Sequence, residues 1–381
     1  MDVLPDLPGG RPLKGRGAVS NATGRYERER RVRVDDGWGH AAGDGPGEGE
    51  GEGQGEAHGT DPAPRPRTRI TVDATRTVIA RNASPDIPFD RSINPYRGCE
   101  HGCVYCYARP SHAYLGLSPG LDFETRILAK PAAPELLKGE LARKGYRCRP
   151  IALGTNTDPY QPVERRLRIT RGILEVLAAW NHPVTIVTKS DAVLADRDLI
   201  AAMAAKRLAK VYLSVTTLDA TLARRLEPRA AAPAKRLAAM RALAGAGIPT
   251  GVMVAPVIPG LTDHEIDSIL AAAAEAGAVG AGYVLLRLPL EVKDLFAEWL
   301  AAHTPDRAKR VLKLVRETRG GALNDAAFGR RMRGTGAHAE LIARRFRIAA
   351  ERLGLARDGG DGLDCTQFAP PARTGEQLAL F

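Results

Sequence analysis

The stretch SINPYRGCEHGCVYCYARP, residues 92–110, places three of the chain's five cysteines, Cys99, Cys103 and Cys106, within eight positions. Cys148 and Cys365 lie far off in sequence, so the local count stops at three. The loop is punctuated by Gly98 and Gly102 and carries charged residues, a poor setting for thiols that serve packing alone. Structural zinc takes four protein ligands, usually paired as CxxC. His101 and His112 are the candidate fourth ligands here, but the spacing is wrong for the usual fingers. A cubane iron-sulfur cluster takes one thiolate per iron, so three cysteines leave one iron open to an exogenous ligand. The iron-sulfur reading is favoured, with zinc as the alternative.

Outward from this loop, short β-branched runs alternate with Ala/Leu-rich amphipathic stretches. INPYRG, PIALG (150–154), VTIVTK (184–189), VYLSVT (211–216), TGVMVAP (250–256) and GYVLLRL (282–288) read as strands. Helices are expected over 134–144, 170–180, 192–207, 219–226, 233–245 and 263–276, with Gly245 or Gly247 ending the fifth and Thr262 or Asp263 capping the sixth. Six β/α units in series predict an α/β fold with a parallel sheet, either an incomplete barrel or an open doubly wound sheet. In both, chemistry gathers at the C-terminal ends of the strands, where the cysteine loop falls.

Composition sets the limits. The chain has 381 residues, 44% apolar and 26% charged, as suits one large or two ordinary domains. Clustered cysteines in this length do not resemble a secreted disulfide framework. The first residues lack a signal-peptide pattern, and the longest apolar stretch is interrupted by Glu275 and Arg287, so no membrane is expected and a cytoplasmic location is the default. Residues 1–67 carry ten basic against twelve acidic residues and include a Gly/Glu tract, and they read as a disordered extension. Residues 68–290 hold the β/α units, 291–358 form a basic helical region and 359–381 a flexible tail. The net charge is +11, and residues 303–357 alone hold fourteen Lys or Arg against five Asp or Glu. Such a density suits binding to nucleic acid, although a solvated helix face explains it as well.

Cys99, Cys103 and Cys106 spell CxxxCxxC with Tyr105 before the last cysteine, and this resembles the signature loop of the radical S-adenosylmethionine (SAM) superfamily. The resemblance implies a partial (β/α)6 barrel of the radical SAM type with a helical C-terminal extension. It also implies a 4Fe-4S cluster whose open iron chelates S-adenosyl-L-methionine and whose electron cleaves the sulfonium to give a 5′-deoxyadenosyl radical. An external electron donor such as flavodoxin or ferredoxin follows. CVYCYARPSHAYLG, GTNTDPYQPVE, VTKS and YLSVTT are similar to the spore photoproduct lyase-like branch, which acts on a thymine dimer in DNA. By that likeness Tyr105 and Tyr107 stand beside the cluster and cofactor, and Lys189 and Ser214 contact the cofactor's polar groups. Asn156, Thr157 and Asp158 line the mouth, although Thr-Asp-Pro can equally be a capped turn. The lyase carries a hydrogen-donating cysteine near the end of the second strand, where this chain reads GTNTDPY without a thiol. Cys148 precedes that strand and is expected on the opposite face, so a related but distinct reaction is expected.

Two further features bear on partners. Arg229 is a candidate for the cofactor carboxylate or for a surface ion pair. The final residues, Gln377, Leu378, Leu380 and Phe381 among them, resemble the peptide with which bacterial DNA polymerases and repair proteins bind the sliding clamp; the alternative is an apolar tail folded on its own domain. Together these features favour a radical enzyme acting on DNA in repair or base modification. An RNA- or protein-modifying radical enzyme and a non-catalytic iron-sulfur redox sensor that binds nucleic acid are the alternatives.

Overall fold

The valine- and isoleucine-rich runs bury one face fully and the other in part, alternating residue by residue along Val184–Thr188, the pattern of a parallel sheet with helices on one side. A computed structural model describes residues 12–27, 66–355 and 362–371. Its strands are β1 (Arg69–Val72), β2 (Ile79–Arg81), β3 (Arg91–Ile93), β4 (Tyr96–Arg97), β5 (Arg126–Ala129), β6 (Ile151–Leu153), β7 (Val184–Thr188), β8 (Ala209–Ser214), β9 (Thr250–Val257) and β10 (Gly280–Leu285). β3, β6, β7, β8, β9 and β10 lie side by side in that order, all parallel, with β2 antiparallel on the outer edge of β3. Helices Ala133–Leu141, Ile169–Ala179, Arg197–Ala204, Pro233–Ala244 and Ile266–Glu275 alternate with them, making the partial (β/α)6 barrel.

The expected strand INPYRG is divided. Pro95 has no N–H for the ladder, so β3 stops at Ile93 and β4 leaves for a small separate sheet of order β1-β5-β4. Thr262 and Asp263 do not cap the helix Ile266–Glu275 as expected. The Thr262 hydroxyl accepts from Ile258 N at 3.0 Å, and Asp263 pairs with His338 at 3.0 Å.

The helices Val292–His303 and Pro305–Glu317 share a buried cluster with the cysteine loop. Phe296, Trp299 and Val311 pack with Val104 and Tyr105. Of the two, Pro305–Glu317 is the basic one, and it therefore shares its core with the loop. The helix Pro305–Glu317 turns Ala308, Val311, Leu312 and Val315 inward and leaves Arg307, Lys309 and Arg310 exposed. The helix Ala337–Arg352 covers β10, with the Phe346 ring 4.7 Å from that of Tyr283.

Two segments expected to be disordered are packed on the fold. Within 1–67, residues 12–27 form a strap over the cysteine loop. Ala18 is fully buried, Gly17 N and Ala18 N donate to the Glu124 carboxylate at 3.0 and 2.8 Å, and Arg25 pairs with Glu291 at 2.8 Å. Composition hid this because the anchoring is carried by backbone groups and a few small residues. Within 359–381, residues 362–371 dock at the N-terminal ends of the strands. Phe368 meets Tyr146, Trp180 and His182, and Ala369 N donates to Trp180 O at 3.2 Å. Gln377, Leu378, Leu380 and Phe381 lie outside the described residues. No helix among the described residues is long and apolar enough to cross a membrane.

The strap approaches so closely that a Cβ on Gly17 would stand 1.7 Å from Gly102 O. Gly17→Ala is expected to lift residues 12–27 and speed their cleavage by protease at least several-fold, while the barrel's urea midpoint moves little. Unchanged proteolysis would show that the strap is not held there.

Candidate functional site

Asn94 and Pro95 turn the chain out of β3 at the C-terminal mouth of the barrel. The Asn94 side chain accepts from Asn156 N at 3.0 Å and, longer, from Thr157 N at 3.4 Å, tying the first strand end to the second. Gly98, at φ 81°, then reverses the chain where a Cβ would come within 2.9 Å of both the His112 ring and Phe123 O. The cysteine loop is pinned through its backbone. Gln161 accepts from Glu100 N at 2.9 Å and donates to Gly98 O at 3.2 Å, and Val104 N donates to Leu226 O at 3.1 Å. Arg109, fully buried, donates to Gly102 O, Cys103 O, Pro119 O and Gly120 O at 2.9–3.1 Å and to the Glu124 carboxylate. All five of its donors are used. Removing either ion would leave the other charge buried and unpaired, a loss of about 3–5 kcal/mol.

Cys99 and Cys103 are buried and Cys106 half-buried. Burial raises the pKa of all three thiols, and for Cys99 the charges of Asp158 and of the two other thiols add to it, so the three groups share one space. Glu227 raises Cys103 further and Lys189 opposes it. Among the described residues no three His, Cys, Asp or Glu side chains converge on a single metal ion. A cubane places each thiolate on a different iron, whereas structural zinc draws four protein ligands onto one ion. Of the two candidate fourth ligands, His101 faces Asp158 at 3.3 Å, and His112 Nε2 donates to Arg126 O at 2.9 Å while its Nδ1 has no hydrogen-bond partner. Burial holds His112 down to about 4. The donor set of three thiols on one Gly-hinged loop fits the cluster.

Behind the loop lies a charged network that sequence reading did not single out. The Tyr105 hydroxyl donates to Glu227 and lies 3.2 Å from that of Thr216; Glu227 pairs with the buried Arg236. Arg236 also donates to Ser214 O at 2.8 Å, so Ser214 at the end of β8 enters through its carbonyl. Lys189 donates to Ala255 O at 2.9 Å, stands 3.5 Å from Glu227 and lies 5.9 Å from the Tyr105 ring centre. Burial alone would raise the Glu227 carboxyl, but Arg236 and then Lys189 hold it well below the usual carboxylate range. Glu227 follows the expected helix 219–226 and Arg236 lies in the next, 233–245, whose Ala-rich spacing reads as ordinary, and nothing in RRLEPRAAAPAKR marks a shared buried contact.

The other expected residues are placed as follows. The Tyr107 ring is 45% exposed at the mouth, and its hydroxyl donates to Thr155 O. Asn156 meets Asn94 through its N–H, whereas the Thr157 hydroxyl is spent on Tyr96 O at 2.8 Å. Asp158 accepts from Tyr160 N at 2.9 Å, Thr188 Oγ1 at 2.7 Å and Lys189 N at 2.7 Å, the capped turn that Thr-Asp-Pro allowed. Arg229 forms an ion pair with Glu100 at 2.7 Å rather than lying free for a carboxylate. Cys148 lies at the opposite end of the barrel, beside Cys365 of the docked tail.

Comparison with known proteins agrees with this geometry. The profile described as "Radical SAM superfamily" matches residues 93–273. The chain is 40% identical over 232 residues to the uncharacterized protein Rv2578c of Mycobacterium tuberculosis, covering 60% of this chain and 68% of that one. The chain belongs to the radical SAM superfamily. This radical SAM protein is also 31% identical over 173 residues to the uncharacterized protein MJ0683 of Methanocaldococcus jannaschii, covering 45% of this chain and 62% of the other. Among solved structures it is similar to a cysteine-to-serine mutant of spore photoproduct lyase, with a TM-score of 0.55 at 17% identity over 76% of this chain and 81% of that one. A double mutant of the lyase with bound AdoMet and dinucleoside spore photoproduct gives a TM-score of 0.55 at 16% identity, over 76% of this chain and 80% of that one. The likeness to the lyase is one of fold. Superfamily membership implies a 4Fe-4S cluster and S-adenosylmethionine as cofactors and makes the chain an enzyme.

Because the Glu227 pKa is depressed below its ordinary 4.5, its ionisation contributes stability that is present above that pH and lost as pH falls below it. Glu227→Gln is expected to cost about 3 kcal/mol at neutral pH by leaving Arg236 unpaired. In urea titrations the variant should then lose less stability than wild type between about pH 5 and pH 3. Equal losses on acidification would show that Glu227 is not ionised in the fold.

Proposed function

We propose that Cys99, Cys103 and Cys106 hold the cluster and that the enzyme acts on DNA, in repair or base modification. The observation that carries the cofactor assignment is the meeting of three thiols, two buried and one half-buried, on one pinned loop at the C-terminal mouth of the barrel. When bound, the cluster and S-adenosylmethionine supply a one-electron cleavage that delivers a 5′-deoxyadenosyl radical, fed by an external donor such as flavodoxin or ferredoxin. The chain's own residues hold and orient. Lys189 uses one donor on Ala255 O and faces Glu227, which leaves it an N–H for a polar group of the cofactor. Tyr105, buried against Glu227, fixes the loop beside the last thiol, and Asn156, Thr157 and Ser214 set the strand ends that wall the site.

The DNA reading rests on charge beside that mouth. The basic helix Pro305–Glu317 shares a buried cluster with the cysteine loop, and its Arg307, Lys309 and Arg310 are exposed. The reaction differs from photoproduct reversal, since the loop after β6 carries no thiol and Cys148 lies at the far end of the barrel.

Protein reconstituted anaerobically with iron and sulfide, then reduced, is expected to convert S-adenosylmethionine to 5′-deoxyadenosine. Replacing any one of Cys99, Cys103 or Cys106 by alanine should lower bound iron and abolish that product. Retention of iron and product by all three variants would defeat the assignment. For the clamp-like end of the chain, deleting residues 377–381 should abolish co-elution with a bacterial sliding clamp while cofactor cleavage continues. Undiminished co-elution would remove that partner.

A further inference from the structure

The partial barrel has two open edges, β2 and β10, and the chain bridges them. Leu285 N donates to Met332 O at 2.9 Å, which lays residues 330–332 along β10. Asp86, in the turn after β2, accepts from Gly329 N at 2.6 Å and pairs with Arg331. Arg287 stands at this closure, two residues past the end of β10, with its guanidinium 5.3 Å from the centre of the Tyr107 ring. Tyr107 directly follows Cys106.

Arg287 is poorly satisfied. Its Nε is shut off from solvent without an acceptor, and Nη1 reaches Met332 Sδ at 3.6 Å. No carboxylate among the described residues forms an ion pair with it. The nearby Asp86 is already taken by Arg331 and Gly329 N. Arg109 and Arg236, buried at the mouth, have their carboxylates; Arg319 shares the orphan Nε and has no carboxylate, but its two Nη groups donate to four carbonyls, whereas the half-buried Arg287 reaches only Met332 Sδ. A buried donor left unmade costs about 1–3 kcal/mol. The face of Tyr107 attracts the cation but supplies no hydrogen-bond acceptor. What the site lacks is an anion with paired oxygens.

We propose that Arg287 receives a phosphodiester group of the nucleic-acid substrate, beside the reacting nucleotide; this rests on the DNA reading above. Near it are the half-exposed Tyr107 ring and Arg331, which pairs with Asp86 and whose guanidinium lies 4.7 Å from the centre of the exposed Phe328 ring. A cation and aromatic faces set together match a phosphate followed by a base. Tyr107 adjoins Cys106 through the chain and carries Arg287 on its ring, so the anion is held one ring away from the cluster loop.

The test uses the reconstituted protein and a fluorescein-labelled single-stranded deoxyoligonucleotide, read by polarisation over a salt series. Arg287→Gln is expected to weaken binding about tenfold. It should also flatten the slope of log affinity against log salt by about 0.7, one phosphate's worth on a single strand. Arg287→Lys keeps the charge and should keep most of the slope, which separates a lost contact from a misfolded variant. Equal affinity and slope in wild type and Arg287→Gln would overturn the inference while leaving the DNA reading intact. Failure of the wild type to bind the oligonucleotide at all would defeat both. If Arg287→Gln instead weakens S-adenosylmethionine binding and spares the oligonucleotide, the guanidinium serves the cofactor and the inference falls.

Discussion

The pair Arg109 and Glu124 is the constraint on which the mouth of the barrel depends. A guanidinium in a dry interior must fill five donors, and Arg109 fills them with four carbonyls of the loop and its flank and with one carboxylate. Glu124 needs further donors and takes them from Gly17 and Ala18. The loop that carries the thiols, the turn at Pro119–Gly120 and the strap are thus fixed by one charge pair. Because both ions are buried, loss of either one would leave the other unpaired in an apolar interior, while the strap adds its two N–H donors to a pair already made.

Charge is also arranged behind the loop. Arg236 and Lys189 face the single carboxylate of Glu227, leaving an excess of one positive charge near Cys103. Burial alone disfavours a thiolate, so this excess, together with any metal, offsets the cost of ionising the cysteines. The same network joins the ends of β8 and β9 through Ser214 O and Ala255 O, so the electrostatics and the positions of the strand ends are set together.

Much of this was legible in the sequence, and the reasons differ by feature. Five of the six barrel strands and their helices follow from β-branched runs and amphipathic spacing, which report burial directly. The division of INPYRG at Pro95 was harder to read, because the residues after the break pair in another sheet. Cys99, Cys103 and Cys106 announce themselves by spacing, which local chain geometry imposes. Glu227, Arg236, Glu124 and Arg109 do not, since their partners lie 9 to 15 residues away and only the fold brings them together. Two expectations of disorder failed for one cause. Residues 12–27 and 362–371 resemble solvated chain in composition, yet each is held by a few backbone bonds and one or two well-placed small or aromatic residues.

The docking of Phe368 beneath β7 divides labour along the barrel axis. Pro371, the last residue described, leaves the fold at the base, the pole opposite the thiols. The docked segment 362–371 thus occupies the base alone and leaves the approach to the thiols clear.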